Sequence, residues 1–501
     1  MPPPMSESHQ DHHPPTHDAD AGDRRPVTVG ICIAGLLAMA AALAFILTGD
    51  HTPHRAVHSE SPPLWLLGTI PFIAVLGAIA VFPLIPALTH WWHSNLSRLL
   101  VSVIAALATL GYVWVAIGWH DVGLTLQHAV LDEYIPFIIL LFALYVISGG
   151  IHLGGDLPGR PITNTTILAV GALIASFIGT TGASMLLIRP LLKTNQARSH
   201  KVHTVIMFIF LVSNIGGALL PIGDPPLFLG YLAGVPFFWT LGLWAQWLLV
   251  IAILLVVYFV WDTILYRREP EVVRTFDRTD VEPIRLDGWW NLLWLGGVVC
   301  CVAFIQPGKP VPGTSWIAFD FLRELCMLGF VAIGLLTTPD TIRKANRFDY
   351  HAILEVAAIF IGIFIAMQVP LAVLKAEGGV ISAQLTEAWM YFWITGGLSS
   401  VLDNAPTYLV FFELAQSAEV GDTTVQLHSG GDVIDATLLT AISLGAVFMG
   451  AMTYIGNGPN FMVKAIAEQS GVKMPSFFGY LVRFAMPVLI PVFAIVAFLM
   501  L

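Results

Sequence analysis

The sequence predicts an all-α polytopic membrane protein, arranged as an inverted repeat with two re-entrant hairpins and two broken transmembrane helices. Composition is the first reason: of 501 residues, 56% are hydrophobic and only 11% are charged, whereas soluble domains carry about 25% charged residues. Many apolar runs also reach the roughly 20 residues that cross a bilayer as a helix. Four long runs are interrupted by polar residues, glycine and proline, and these interruptions define the hairpins and the broken helices.

Apolar runs predict about 11 transmembrane helices. The first run is too long for the core of a signal peptide and lacks a clear cleavage site, so we expect a retained helix. The broken helices are the second and fourth interrupted runs of the chain, 203–232 and 436–467. The runs lie near 27–48, 64–89, 97–118, 134–150, 203–232, 237–265, 289–306, 321–337, 350–373, 436–467 and 478–501.

Two further regions are each too long for one crossing and have polar centres. The first, 163–193, contains Gly179–Ser184, and the second, 386–416, contains Ser399–Thr407. Each half of such a region is roughly half a membrane thickness at ~1.5 Å per residue. We therefore predict two re-entrant helical hairpins with polar tips.

This order of elements predicts an inverted repeat. Each half of the chain contains two or three helices, a hairpin, a broken helix and a closing helix, and the two halves begin on opposite sides of the membrane. Such repeats give one fold two nearly equivalent states for alternating access. The predicted segments are a disordered tail rich in His and Pro (1–26), a first transmembrane helix with its loop (27–63), the first repeat (64–266), a cytoplasmic linker (267–288) and the second repeat (289–501).

The charge pattern supports this topology with a cytoplasmic N-terminus. Only four of the 23 lysines and arginines then fall outside, namely Arg55, Lys309, Arg323 and Lys375, as the positive-inside rule requires. A hairpin that crossed the membrane fully would invert everything after it and destroy the agreement. We expect a multi-pass protein of a bacterial inner membrane, and the lack of a basic stripe argues against a nucleic-acid partner.

The polar interruptions supply the candidate binding residues. A helix broken at membrane depth frees backbone groups that lipid cannot satisfy, so such breaks occur where protein or a polar cavity receives them. Two breaks in corresponding positions of two halves indicate a binding site near the midplane. The candidates are Thr180, Thr181 and Ser184 in the first hairpin tip, Ser213, Asn214 and Asp224 in the first break, Asp403, Asn404 and Thr407 in the second tip, and Thr453, Asn457 and Asn460 in the second break.

Ionisable residues within apolar segments are costly and so are functional candidates. We expect Asp403 to carry the ion or proton, although it also suits the N-cap of a helix that begins near Pro406. Asp224, which precedes two prolines, is either a ligand or a turn former. Glu355 is a candidate proton relay or reaches the interface, and Lys464 is a candidate counter-charge or extends to the inner surface.

No sequence of the Gly-x-x-x-x-Gly-Lys-Ser/Thr type occurs in the chain. ATP is therefore not expected to drive the protein directly, and an ion gradient is the expected source of energy. We expect no cofactor, with Na⁺ and H⁺ as the transported ions.

Five segments resemble the NhaD-type sodium/proton antiporters of the ion transporter superfamily, which also contains citrate, dicarboxylate and arsenite carriers. The resemblance covers both repeats from about residue 60. The five segments are Gly179–Pro190, Leu211–Gly217, Gly223–Gly230, Leu402–Tyr408 and Thr453–Ala465.

The resemblance implies a scaffold that forms a homodimer and a transport unit, made of the hairpins and broken helices, that moves across the membrane like an elevator. It also implies cation sites between each hairpin tip and its broken helix, and we expect Na⁺ at Asp403, Asn214 and Asn457. The carboxylate carriers of the superfamily have Ser-Asn-Thr at both tips, and this chain does not. An acid at the tip favours Na⁺, Li⁺ or H⁺ over a carboxylate substrate.

The expected function is therefore Na⁺(Li⁺)/H⁺ antiport by alternating access. The alternative is a symporter that couples a cation to citrate or another dicarboxylate, and arsenite efflux is a minor further option. A membrane-embedded enzyme or a sensor is a remote alternative, because no nucleophile–base pair or metal-ligand cluster is visible at membrane depth.

Overall fold

The computed structural model describes residues 62–500, apart from 93, 273, 275–281, 420, 422 and 429–431. The predicted tail (1–26) and first helix (27–48) lie outside the described residues. The described chain is mainly α-helical, as expected from its composition. Its helices surround a large apolar core that includes Phe208, Phe392 and Phe448, none of which is exposed.

The first half contains ten α-helices and one strand among the described residues. A π-helix, Gln127–Tyr134, joins the helix that ends at Leu126 to the helix that begins at Ile135. Short 3-10 segments lie at Phe82–Leu84, Ile215–Leu219 and Phe237–Leu243. The elements are α1 (Trp65–Val81), α2 (Pro86–Trp92), α3 (Asn95–Ala116), α4 (Trp119–Leu126), α5 (Ile135–Ser148), β1 (His152–Asp156), α6 (Pro161–Ile178), α7 (Thr180–Thr194), α8 (Val202–Leu211), α9 (Pro225–Leu232) and α10 (Trp244–Arg268).

The second half contains eleven α-helices and three strands among the described residues. A 3-10 turn, Gly450–Met452, follows the helix that ends at Met449, and a π-helix, Leu481–Ala485, lies between the last two helices. The elements are β2 (Glu282–Asp287), α11 (Trp290–Phe304), α12 (Leu322–Thr337), α13 (Asp340–Ala345), α14 (His351–Ala366), α15 (Gln368–Ser382), α16 (Ala388–Ser399), α17 (Asn404–Gln416), β3 (Thr424–Gln426), β4 (Val433–Asp435), α18 (Ala436–Met449), α19 (Gly458–Gln469), α20 (Phe477–Tyr480) and α21 (Met486–Met500).

Seven helices in the described chain are long and apolar enough to cross a membrane, or eight if the bent pair α14–α15 is one span. The protein is thus a multi-pass membrane protein. The expected number of about 11 spans also counts 27–48, which lies outside the described residues, and shorter apolar helices such as Trp290–Phe304. The bend of 41° between α14 and α15 follows from Pro370, which lacks an N–H for Ala366 and whose ring crowds that carbonyl.

Two segments differ from the prediction. Residues 119–133 lie between the predicted spans 97–118 and 134–150, but they are helical and continue into α5, with Val122 and Ala129 buried. These two residues are seven apart, two helical turns, so the segment has an apolar face despite its acids. The linker 267–288 also contains a strand, since β2 pairs with β1 in an antiparallel ribbon. A second ribbon joins β3 and β4.

The regions predicted as hairpins contain the helix pairs α6–α7 and α16–α17, called the first and second hairpin below. Gly179 separates α6 from α7 and has φ +79°, a left-handed value that suits glycine. Asn164 at the base of the first hairpin donates to Asp262, which also contacts His203 at the start of α8. The loop after the second hairpin instead reaches the end of α9, where the His428 amide donates to Gly234 O. Since α8 and α9 are the two halves of one broken helix, the hairpin bases lie at opposite ends.

Candidate functional site

A single buried carboxylate, that of Asp224, lies where both hairpin tips meet both broken helices. The residue is 1% exposed and occupies the N-cap of α9. Its Oδ1 accepts hydrogen bonds from Thr180 Oγ1 at 2.9 Å and from Asn457 Nδ2 at 3.0 Å. Its Oδ2 accepts from Asn404 Nδ2 at 2.6 Å. Residues 44, 180 and 233 positions away along the chain thus converge on one side chain.

A chain of asparagine amides connects Asp224 to the second break. Asn457 Nδ2 lies 3.2 Å from Asn214 Oδ1, and Asn214 Nδ2 donates to Asn460 Oδ1 at 2.6 Å. Asn460 Nδ2 in turn donates to the carbonyl oxygens of Gly450 and Thr453 at 2.8 and 2.9 Å. These carbonyls belong to the interrupted helix, so the amides satisfy backbone groups that lipid could not.

The two breaks have the same backbone geometry. Asp224 has φ −143° and ψ 142°, and Asn457 at the N-cap of α19 has φ −155° and ψ 140°. Four residues earlier, Leu220 (−133°, 150°) and Thr453 (−137°, 168°) are also extended. Proline occupies the first turn after each N-cap, where its missing N–H costs nothing. The difference is chemical, because one break presents a carboxylate and the other a neutral amide.

Close backbone packing at the first break depends on Gly223. A Cβ at this position would lie 2.2 Å from Gly217 O and 3.0 Å from Ser176 Cα, and neither backbone atom can rotate away. We expect Gly223→Ala to lower the free energy of unfolding by about 1–3 kcal/mol through overpacking. Thermal unfolding in detergent measures this. Gly111→Ala in α3 is the control, because a Cβ there meets nothing within 4 Å and alanine favours the helix; equal midpoints for the two variants would contradict the expectation.

Four helices begin at this cluster. They are α7 at Thr180, α9 at Pro225, α17 at Asn404 and α19 at Gly458. Helix N-termini carry partial positive charge and unpaired N–H groups, so they stabilise an anion. Thr180 N donates to Gly223 O at 2.8 Å, which ties the first hairpin tip to the first break. The positive ends therefore surround the Asp224 carboxylate.

The hydrogen-bond partners of Asp224 in the described chain are all neutral side chains: one hydroxyl and two amides. An ionised carboxylate that is buried without an opposite charge is costly. Asn404 Oδ1 is also buried and has no hydrogen-bond partner among the described residues. A carbonyl oxygen with free lone pairs thus belongs to the same amide that donates to the carboxylate, and oxygen ligands of this kind suit small hard cations.

Asp403, the residue expected to carry the ion, lies at the N-cap of α17. Its Oδ1 accepts from Ala405 N at 3.1 Å, and the side chain is half-buried. Thr407 Oγ1 donates to the Asp403 carbonyl at 2.9 Å. The capping role is therefore present. The neighbouring Asn404, rather than Asp403, makes the hydrogen bond to Asp224.

The other predicted tip residues lie around the cluster. Ser184 and Ser213 are fully buried, and their hydroxyls are 2.8 Å apart. Thr453 Oγ1 donates to Ser400 O at 2.5 Å and accepts from Gly456 N at 3.1 Å, which fixes the second break against the second tip. Thr181 is half-buried.

The two remaining candidates lie elsewhere. Glu355 forms an ion pair of 2.9 Å with the buried Arg98, between α14 and α3. Lys464 pairs with Glu468 at 2.9 Å, one turn along α19, and its Nζ lies 5.5 Å from the Tyr454 ring. Neither hydrogen-bonds to Asp224 or to the asparagine chain in the described part of the structure.

Sequence reasoning did not select two serines that bind the broken helices from within the hairpins. Ser176 Oγ donates to Gly216 O at 2.5 Å, and Ser399 Oγ donates to Ala446 O at 2.7 Å. Each lies in the first helix of its hairpin, four or five residues before Thr180 or Asn404. A hydroxyl at this spacing in both hairpins was the signal available in the sequence.

A second buried network was also missed, at the base of the first hairpin. Arg198 donates to both oxygens of Asp262, at 2.6 and 3.1 Å, and His203 Nε2 lies 2.9 Å from Asp262 Oδ1. Asn164 and Asn195 bind each other and add a donor to Asp262. The network joins α6, the end of α7, α8 and α10, so it fixes the base of the hairpin to its neighbours.

Comparison with known families gives one match. Residues 60–501 match the family described as "Putative citrate transport". This range includes both hairpins, both breaks and every residue of the Asp224 cluster. No curated protein matches the chain.

Proposed function

The chain belongs to this citrate-transport family within the ion transporter superfamily, and from that premise we propose that it is a secondary transporter exchanging Na⁺ or Li⁺ for H⁺. The observation that carries the proposal is the Asp224 carboxylate, buried among neutral donors. A carboxylate in such a place is stable when a proton or a cation neutralises it. One group that accepts either ion, and not both, couples their movement in opposite directions.

In this proposal Asp224 replaces Asp403 as the principal carrier. Asn404 Oδ1 contributes a free oxygen beside the carboxylate, and Asn214, Asn457 and Asn460 hold the second break in register with it. Thr180 completes the site from the first hairpin. Asp403 was expected to be the carrier because it is an acid in a hairpin tip beside free helix ends. In this proposal Asp224 provides the acid and Asn404 provides the contact from the hairpin tip.

Transport would proceed by alternating access in an inverted repeat. The matching dihedral angles at Asp224 and Asn457 and the hairpins with bases at opposite ends support this arrangement. The hydrogen bonds that join both tips to both breaks support movement of these elements as one unit, as in an elevator. The proposal places the protein in a bacterial inner membrane, as a homodimer, with a cytoplasmic N-terminus.

Ion selectivity tests the exchange directly. Everted vesicles from antiporter-deficient cells carry a pH-sensitive dye whose quenching reports the proton gradient. We expect NaCl and LiCl, but not KCl or citrate, to restore the fluorescence in vesicles that contain the protein. Antiport would be rejected if no cation restored the fluorescence and the vesicles instead took up citrate in a manner that depends on Na⁺ or H⁺.

Symport of citrate or another dicarboxylate with a cation is the second candidate. The family description names citrate transport without distinguishing symport from exchange. The observation in favour of a carboxylate substrate is the set of four helix N-termini that converge on the site, because such termini bind carboxylates well. The negative charge of Asp224 opposes it unless Na⁺ or H⁺ neutralises that residue first. Uptake of labelled citrate into right-side-out vesicles distinguishes the two candidates.

A substitution at Asp403 distinguishes its role as a helix N-cap from a role in ion binding. Asn caps helices about as well as Asp, so we expect Asp403→Asn to fold and to exchange Na⁺ for H⁺ at a rate within about twofold of the parent. The dye assay in everted vesicles measures the rate, with detergent gel filtration as the test of folding. Loss of exchange in a folded Asp403→Asn protein would return the carrier role to Asp403.

A further inference from the structure

Three buried hydroxyls beside the second hairpin have no hydrogen-bond partner within the described chain. They belong to Tyr391 and Thr395 on α16 and to Ser443 on α18, and none of the three side chains is exposed. The Tyr408 hydroxyl of α17 approaches Ser443 without meeting the geometry of a hydrogen bond. Buried polar atoms without partners are rare in proteins, and ordered water commonly satisfies them.

Two of these hydroxyls, those of Tyr391 and Thr395, belong to a row along α16, and Ser443 lies on the facing helix α18. Tyr391, Thr395 and Ser399 are spaced four residues apart, which places them on one face of the helix. That face packs on α18, since a Cβ at Gly445 would lie 2.6 Å from Phe392 O, and Ser399 Oγ donates to Ala446 O. The row is about 12 Å long at ~1.5 Å per residue.

The inner end of the row lies next to the Asp224 cluster. A Cβ at Gly456 would lie 2.9 Å from Ser399 O, and the next residue, Asn457, donates to Asp224. The outer end, at Tyr391, lies near the start of α16 at the base of the second hairpin. The row therefore leads from the base of the second hairpin to the buried carboxylate.

The first hairpin offers a contrast. Its base is fixed by the charged network of Asp262, Arg198 and His203, in which each side chain is at most 3% exposed. Its buried serine hydroxyls are paired, Ser176 with Gly216 O and Ser184 with Ser213. The Tyr266 hydroxyl of α10, whose ring lies 5.4 Å from Arg198 Cζ, is also unpaired. Within the described chain, however, α6 and α7 carry no unpaired buried hydroxyl, whereas α16 carries two.

A hydroxyl both donates and accepts a hydrogen bond, so a row of hydroxyls with intervening water can pass protons. A Na⁺ ion needs several oxygen ligands at once, whereas these are single hydroxyls, two along α16 and one on α18. We propose that Tyr391, Thr395 and Ser443 line a hydrated path by which protons reach Asp224 from the base of the second hairpin. The inferred path rests on the proposed exchange at Asp224. Each proton step breaks one O–H bond and forms another, so no other bond changes.

The test removes the hydroxyls without changing side-chain shape. Tyr391→Phe, Thr395→Val and Ser443→Ala are made singly and together in the full chain, purified and reconstituted into liposomes. Three quantities are measured: the rate of Na⁺-driven proton flux, the thermal midpoint, and the increase in that midpoint on adding NaCl, which reports cation binding. Thr395→Ser retains a hydroxyl, and Thr109→Val removes a buried hydroxyl that is paired with Ala105 O in α3.

We expect the triple variant to lose proton flux about tenfold or more, with an unchanged stabilisation by NaCl. Its thermal midpoint should be equal or higher, since an unpaired buried hydroxyl does not stabilise the fold. Thr395→Ser and Thr109→Val should keep the parent flux. Flux within about twofold of the parent in the triple variant, or a loss of stabilisation by NaCl together with flux, would overturn the path.

The variant Asp224→Asn tests the proposed function separately from the proton path. Asp224→Asn should lose both the flux and the stabilisation by NaCl. If it retains both, exchange does not occur at Asp224, whatever the hydroxyl variants do. If it loses both while the triple variant behaves as the parent, the carrier role remains and the path is wrong.

Discussion

Asp224→Asn should abolish exchange of Na⁺ for H⁺ while leaving the protein folded, with a rate at least about 100-fold below the parent. The substitution keeps the shape of the side chain but removes the group that a proton or cation neutralises. The new amide would face Asn404 Nδ2, now 2.6 Å from Asp224 Oδ2. Because Asn404 Oδ1 has no partner among the described residues, the Asn404 amide can rotate by 180° and accept from the new donor.

Initial rates of dye dequenching in everted vesicles, corrected for the amount of protein, measure this effect. Asp403→Asn is the matched control, since it changes an acid at a neighbouring N-cap that makes no side-chain bond to Asp224 in the described structure. Exchange by Asp224→Asn at near the parent rate would remove the carboxylate from the mechanism.

Arg198→Met is expected to cause the largest loss of stability, about 3–5 kcal/mol, because it leaves Asp262 buried without its main opposite charge. Arg198 is 1% exposed at its side chain and Asp262 is 0% exposed, so water cannot replace the lost bonds. The network joins the base of the first hairpin to α8 and α10, and its loss should also displace Thr180 at the hairpin tip and slow exchange.

The thermal midpoint in detergent, followed by loss of the monodisperse gel-filtration peak, measures the change. Lys193→Met is the control, since its ion pair with Glu282 is exposed, with side chains 46% and 62% accessible, and such pairs contribute about 0–1 kcal/mol. A midpoint for Arg198→Met as high as that of Lys193→Met would show that the buried network does not stabilise the fold.

The positions of the helix interruptions could be predicted from the sequence because each leaves a local signal. Gly179 and the Pro-flanked turns at Asp224 and Asn457 cannot continue an apolar helix, so their positions were evident without any tertiary information. The helix at 119–133 was missed for the opposite reason. Its acidic residues interrupt the apolar pattern between the two predicted spans, while its buried Val122 packs in a cluster with Val369, which is distant in the chain.

The centre of the site was harder to predict. Asp224 precedes two prolines, which is typical of a turn, and its functional character comes from Thr180, Asn404 and Asn457, which are distant in sequence. Asp403 drew attention because it lies in a hairpin tip, but the direction of its side chain, toward its own helix, is a tertiary fact. The unpaired hydroxyls of α16 likewise depend on what α18 places opposite them.

The most direct test of the account is uptake of radioactive Na⁺ into liposomes that contain only the purified protein, driven by an imposed pH gradient with the interior acidic. We predict uptake against the Na⁺ gradient by the parent and by Asp403→Asn, with none by Asp224→Asn and no requirement for citrate. Uptake that needs citrate, or that persists in Asp224→Asn, would contradict exchange of Na⁺ and H⁺ at this carboxylate.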